Sequence, residues 1–240
     1  MLFRLRSTQL RDAGRRIDVP VAVVAWLVAF VAGNLIAGVI VASSGADSVD
    51  TTPLGYVFAG LVATWAAYLA GLWAASQRGG SGVPVEDYRL RFAPIDLIGA
   101  PIGVITQLVV VPVVYLPLRA IWEGTFSDDR LSENADSLVD RADGAVMVLL
   151  VVMVCIGAPI VEELVYRGMI QGSLAARFDD AVALVASAAW FALIHFRPVE
   201  YPGLFVFGLV AGAGVMFTKR IGMSVVAHVA FNATGLLLAV

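Results

Sequence analysis

The sequence predicts an all-α, polytopic transmembrane helix bundle of about seven spans, or eight if one proline-interrupted run conceals a further segment. Three observations predict it. The 240 residues are 60% hydrophobic with a mean hydropathy of +0.86, more apolar surface than a soluble domain of this size can bury. Several separate runs reach the roughly 20 residues that a helix needs to cross the hydrocarbon of a bilayer. These runs are continuous and not alternating, which selects helices over a barrel, the two structures that satisfy every backbone group in lipid.

Residues 1–19 carry Arg4, Arg6, Arg11, Arg15 and Arg16 against the single acid Asp12 and read as a basic cytoplasmic segment. The apolar run that follows, 20–43, is too long for the core of a signal peptide and is closed by no small-residue cleavage site, so it is a first anchor. A second span covers 53–75 after a short acidic connection with Asp47 and Asp50, and 77–96 is a Gly-rich loop with Arg78, Arg89 and Arg91. The third run, 95–118, is interrupted by Pro101, Pro112 and Pro117 and is expected to kink or break. Residues 119–143 are rich in Asp and Glu and read as a solvated loop holding at most a short amphipathic helix. The fourth span starts near Gly144 and ends before Arg177; a fifth covers 181–195, a sixth 202–218 and a seventh 221–240.

This divides the chain into the basic segment 1–19, an N-terminal membrane region 20–143 with its acidic loop, and a core 144–240. The basic residues collect at the N-terminus, in 77–96, at Arg177 and at Lys219-Arg220, which places those segments and the N-terminus in the cytoplasm by the positive-inside rule. The spacings Gly99/Gly103, Gly168/Gly172 and Gly208/Gly212 read as close-packing faces between helices. Cys155, the single cysteine, excludes an intramolecular disulfide and reads as a small buried hydrophobe. A net charge of -3 gives no reason to expect a nucleic-acid partner, and no feature of the sequence fixes an oligomeric state.

Against this apolar background a few polar residues stand out. Glu162 and Glu163 lie side by side within the fourth span, where each charge costs roughly 2.5 to 3.5 kcal/mol on insertion scales, so they are functional candidates. Arg167 follows Glu163 by four residues and can pair with it on one helical face, while Glu162, about 100 degrees round the helix, is free to face something else. Both histidines of the chain, His195 and His228, also lie in apolar runs. Phe191 precedes His195 by one turn, and Asn232 follows His228 by one turn.

If those three faces converge, the bundle holds two carboxylates, two imidazoles, an amide and a guanidinium. A carboxylate with a histidine beside it activates water, and Asn232 with a histidine N–H can donate to a developing oxyanion, so amide hydrolysis is the natural reaction. Two imidazoles and a carboxylate are also the ligands of a hydrolytic zinc. The bland readings are an ion pair that fixes helix register for Glu163 and Arg167, packing histidines, and an interhelical hydrogen bond for Asn34. The Asn232-Ala233-Thr234 sequon lies within a span and is no glycosylation site. Counting residues from the basic end puts His195 and His228 at depths differing by about 10 Å in straight, upright helices, a gap that tilt or shifted boundaries must close.

Glu162-Glu163-x-x-x-Arg167, Phe191-x-x-x-His195 and His228-x-x-x-Asn232, in this order and each on a membrane helix, resemble the three motifs of the CAAX-protease and bacteriocin-processing (CPBP, or Abi) family of intramembrane proteases, which includes the type II CAAX prenyl endopeptidases. The resemblance covers 144–240 and implies an intramembrane endopeptidase, glutamate-type or metallo-type, in which Glu162 and His195 activate water and His228 and Asn232 bind the oxyanion. Glu163 and Arg167 support the geometry. It implies a metal-free site or one zinc ion held by Glu162, His195 and His228. The substrate is a peptide or lipidated protein, processed at a prenylated C-terminus or as a precursor peptide near the cytoplasmic face. The Arg-rich, Lys-poor composition fits a prokaryotic plasma membrane. Readings from other classes are a membrane haem protein with His195 and His228 as axial ligands, and a non-catalytic scaffold or immunity protein of the same fold.

Overall fold

The apolar periods of the chain all become helix. The computed structural model describes residues 17–48 and 50–239, and residues 1–16 of the basic segment lie outside them. Among the described residues there are nine helices and no strand: α1 (Val19–Ala42), α2 (Leu54–Gly79), α3 (Pro84–Asp87), α4 (Pro94–Ile121), α5 (Asp128–Asp140), α6 (Gly144–Arg177), α7 (Asp180–Leu193), α8 (Tyr201–Thr218) and α9 (Gly222–Leu238). Helices α1, α2, α4, α6 and α8 are long and apolar enough to cross a membrane, and α7 and α9 are shorter apolar helices of 14 and 17 residues. The seven expected runs are thus seven helices of an integral membrane protein, and the amphipathic helix expected in the acidic loop is α5.

The third run is one helix. Proline offers no N–H and its ring presses on the carbonyl four residues back. Ahead of Pro112 the chain meets this by widening, at Thr106–Val110, into a π-helical turn in which the Val111 N–H reaches back five residues to Thr106. Ahead of Pro159, in α6, Met153–Gly157 does the same, with Ala158 N–H on the Met153 carbonyl. Both helices stay continuous, and no eighth segment forms from α4.

Small residues set the closest approaches. A Cβ at Gly99 would lie 2.4 Å from the Met223 carbonyl oxygen and one at Gly103 would lie 2.1 Å from that of Ala227, so this face packs α4 backbone-to-backbone against α9. On α8, Gly208 meets Ala188 at 3.0 Å and Gly212 meets Leu184 at 2.5 Å, packing α8 on α7. The third spacing is different: Gly168 faces Tyr88, but Gly172 meets no other helix, so Gly168/Gly172 is not a helix-packing face. Asn34 also departs from expectation, since its amide donates to the Phe30 carbonyl of its own helix at 2.8 Å. Cys155 is buried, as expected.

Because the obstacle at Gly103 is backbone, which cannot rotate away, Gly103→Ala is expected to destabilise the protein by about 1 to 3 kcal/mol and to shift α9. Thermal denaturation in detergent measures this.

The loops sort by charge at the two ends of the bundle. At one end Arg220, between α8 and α9, holds Asp96 at the start of α4 through Nε at 2.8 and 3.1 Å, and this buried carboxylate raises the already basic guanidinium further. Tyr88 lies at the same end; burial pushes its hydroxyl up, so it remains a donor, here to the Leu72 carbonyl at 2.5 Å. At the other end Arg141 donates to the Thr52 carbonyl, Arg119 pairs with Asp128, and Glu133 of α5 lies 3.9 Å from Arg197 in the α7–α8 turn.

Candidate active site

The polar residues of the core hang on α6. From Glu163 to Ile170 this helix is π-helical and all eight residues are buried, a local geometry often found at functional sites. Glu163 is fully buried and Arg167 is 1% exposed; Arg167 Nη1 lies 3.2 Å from Glu163 Oε1, the one-turn pairing expected from the sequence. The guanidinium rests 4.4 Å from the ring centre of Phe191 and 5.9 Å from that of Phe207, and Nη2 donates to the Gly208 carbonyl at 3.4 Å. One turn on, Gln171 Nε2 donates to the Gly212 carbonyl at 3.1 Å. The two glycines of α8 leave their carbonyls open to these side chains.

His228 of α9 stands between the two glutamates. Its Nδ1 lies 2.7 Å from Glu163 Oε1 and its Nε2 3.6 Å from Glu162 Oε2. A carboxylate paired with a guanidinium accepts hydrogen bonds, so Nδ1 carries the proton and donates to Glu163. The chain Arg167, Glu163, His228, Glu162 is continuous, and it ends at the one carboxylate of the pair that keeps exposure, 27% of its side chain. The imidazole is walled by Phe207 at 4.6 Å and Phe191 at 5.7 Å between ring centres, and Phe231 stacks behind Phe207 at 4.3 Å.

His195 lies beyond the end of α7, in the turn to α8. Its Nδ1 is 2.7 Å from the Phe191 carbonyl oxygen, which only accepts, so Nδ1 donates and Nε2 of the neutral ring holds the lone pair. The rings of Phe191 and His195 meet edge-on at 4.9 Å. Both histidines therefore pack on Phe191, and the His195 ring folds back one turn to the Phe191 carbonyl, which brings it toward the level of His228. Among the described residues no hydrogen bond or ion pair joins His195 to Glu162.

Asn232 donates from Nδ2 to the Val154 carbonyl at 2.8 Å. In the widened turn ahead of Pro159 the natural partner of that carbonyl is the N–H five residues on, and proline has none. Asn232 supplies the missing donor and ties α9 to α6. Asn232→Ala is expected to cost about 1 to 3 kcal/mol by leaving the carbonyl unsatisfied, and Pro159→Ala in the same protein to recover much of that loss by restoring the N–H. Melting temperatures of the two single variants and the double variant read the coupling.

The structure thus gathers Glu162, Glu163, Arg167 and His228 directly, brings His195 to them across Phe191, and commits one N–H of Asn232 to the backbone. The proposed zinc ligands Glu162, His195 and His228 do not form a three-donor group, nor do any three His, Cys, Asp or Glu side chains among the described residues. A haem between the two imidazoles would have to displace Phe191, which is fully buried and packs on both. Sequence reasoning missed Phe207 and Gln171 and read Gly208 only as a packing face. Gln171 had a signal, its spacing of four from Arg167.

Residues 144–234 match the family model described as type II CAAX prenyl endopeptidase Rce1-like. No curated protein and no solved structure matches the chain. The matched segment begins with α6 and runs through Asn232, so it takes in all three motifs. From α6 onward, the chain is thus similar to the Rce1-like type II CAAX prenyl endopeptidases, a family of peptidases.

Proposed function

We propose that the protein is a glutamate-dependent intramembrane endopeptidase that hydrolyses a peptide bond in an apolar or lipidated substrate. The observation that carries this reading is His228 held between two unlike carboxylates, one buried and paired with Arg167, the other partly exposed. Glu162 takes a proton from water as the resulting hydroxide attacks the scissile carbonyl, and later returns it to the leaving amine. His195, with its Nε2 lone pair free, helps to orient that water. A ring N–H of His228 and the second N–H of Asn232 donate to the oxyanion. Glu163 and Arg167 hold His228 in place.

The substrate is a prenylated C-terminal peptide or a precursor peptide reaching the site from the bilayer, in a prokaryotic plasma membrane with the basic end in the cytoplasm. The experiment uses purified protein in detergent and a prenylated peptide ending in Cys-Ala-Ala-X, with cleavage followed by mass spectrometry. Cleavage that persists after dialysis against a chelator supports the metal-free reading. Chelator-dependent loss restored by zinc defeats that reading, and absence of cleavage of prenylated and unprenylated peptides alike defeats the peptidase assignment.

A further inference from the structure

The turn after α7 holds a bulky aromatic residue in a backbone conformation that such residues rarely adopt. Phe196 has φ 53, in the left-handed region, where glycine is the usual occupant. A residue stays in such a region only where its surroundings over-determine it. Here the Phe196 ring stacks on Phe30 of α1 (6.1 Å, 29°), Phe30 stacks on Trp26 (5.1 Å, 4°), and Trp26 meets Trp190 of α7 edge-on (4.9 Å, 75°). The far end of the turn is fastened by Tyr115, whose hydroxyl donates to the Val199 carbonyl at 2.7 Å.

The reversal at Phe196 acts on the residue before it. The last helical bonds tighten, His195 N–H to Ala192 at 3.2 Å and Phe196 N–H to Leu193 at 3.3 Å. The Phe191 carbonyl, which a continuing α-helix would give to the His195 backbone, is left for the His195 ring. We propose that Phe196, whose largely exposed ring stacks on Phe30, is a positioning residue that fixes the direction and tautomer of His195. This rests on the reading of His195 as a water-orienting group, and it makes α1, which lies outside the family-matched segment, part of the site's support.

The test uses the full chain in detergent with ring-15N histidine. There are two histidines, so one His→Gln variant assigns the signals. Phe196→Gly, which adopts the left-handed region freely, is expected to keep the Nδ1-protonated signature of His195 and a kcat within about threefold of the parent on the Cys-Ala-Ala-X peptide. Phe196→Ile, whose β-branch resists that region, is expected to lose the signature and about 100-fold in kcat with little change in KM, as misplacing a catalytic group by an ångström does. Phe30→Ala is expected to weaken the signature, and Phe30→Ala with Phe196→Gly to restore it, so the inference remains testable if the isoleucine variant fails to fold. Equal behaviour of the glycine and isoleucine variants in the His195 spectrum overturns it. Full cleavage by His195→Ala, with the Phe196 and Phe30 variants still giving the expected His195 spectra, removes the water-orienting role and leaves the positioning inference standing.

Discussion

Glu162→Gln is expected to lower kcat by about 100-fold to 10,000-fold, the range for losing a general base, while leaving the fold and melting temperature unchanged. The substitution keeps the size of the side chain and removes only its ability to take a proton. It is structurally mild because Glu162 is the partly exposed member of the pair and lies 3.6 Å from His228 Nε2, beyond a strong hydrogen bond. Peptide cleavage by purified protein, with thermal denaturation of the same preparation, separates the two effects. Undiminished cleavage would sink the assignment of Glu162, and so would a loss matched by unfolding.

Changes at the neighbouring residue should have the opposite profile. Glu163 is fully buried against Arg167, so removing either charge strands the other in a low-dielectric interior, at a cost of about 3 to 5 kcal/mol. Glu163→Leu and Arg167→Met are each expected to lower the melting temperature steeply. The double variant, which leaves no unpaired ion, is expected to regain much of the stability, since buried pairs replaced by apolar groups are often neutral. It should not regain activity, because His228 Nδ1 then has no acceptor and the ring is free to turn. A double variant as unstable as the worse single one would show that the pair is worth more than its apolar replacement. One that cleaves peptide at the parental rate would remove the positioning role of Glu163.

The contrast between adjacent glutamates was half legible in the sequence. The one-turn spacing assigned Arg167 to Glu163 and left Glu162 over, and the pairing followed. What the spacing could not say is where the leftover acid points. That depends on α9 packing against α6 and on His228 turning both its nitrogens toward carboxylates, contacts between residues 65 positions apart. The position of His195 shows the same division. Its place after an apolar run was plain, but the sequence did not show that α7 stops at Leu193, since what ends it is a left-handed phenylalanine where a glycine or asparagine would have served as the signal.

The prolines give a third case. The run around Pro159 reads as one span, whereas Pro101, Pro112 and Pro117 announce a kinked or broken third run. The chain instead widens into π-helical turns, because in lipid a break would leave backbone groups with no water to bond, whereas a wider turn keeps nearly all of them satisfied. The carbonyl that Pro159 leaves over, at Val154, is met by Asn232 from another helix.

By itself the sequence determined the helical membrane architecture, its seven apolar segments and the residues able to do chemistry, because hydropathy and one-turn spacing are local properties that lipid enforces on each helix separately. Only the tertiary structure decided which carboxylate is buried and which is exposed, which donor of Asn232 is spent on the backbone, and how two histidines come to share one phenylalanine. Those outcomes depend on contacts between helices, fixed by glycine faces and aromatic stacks whose partners lie far away along the chain.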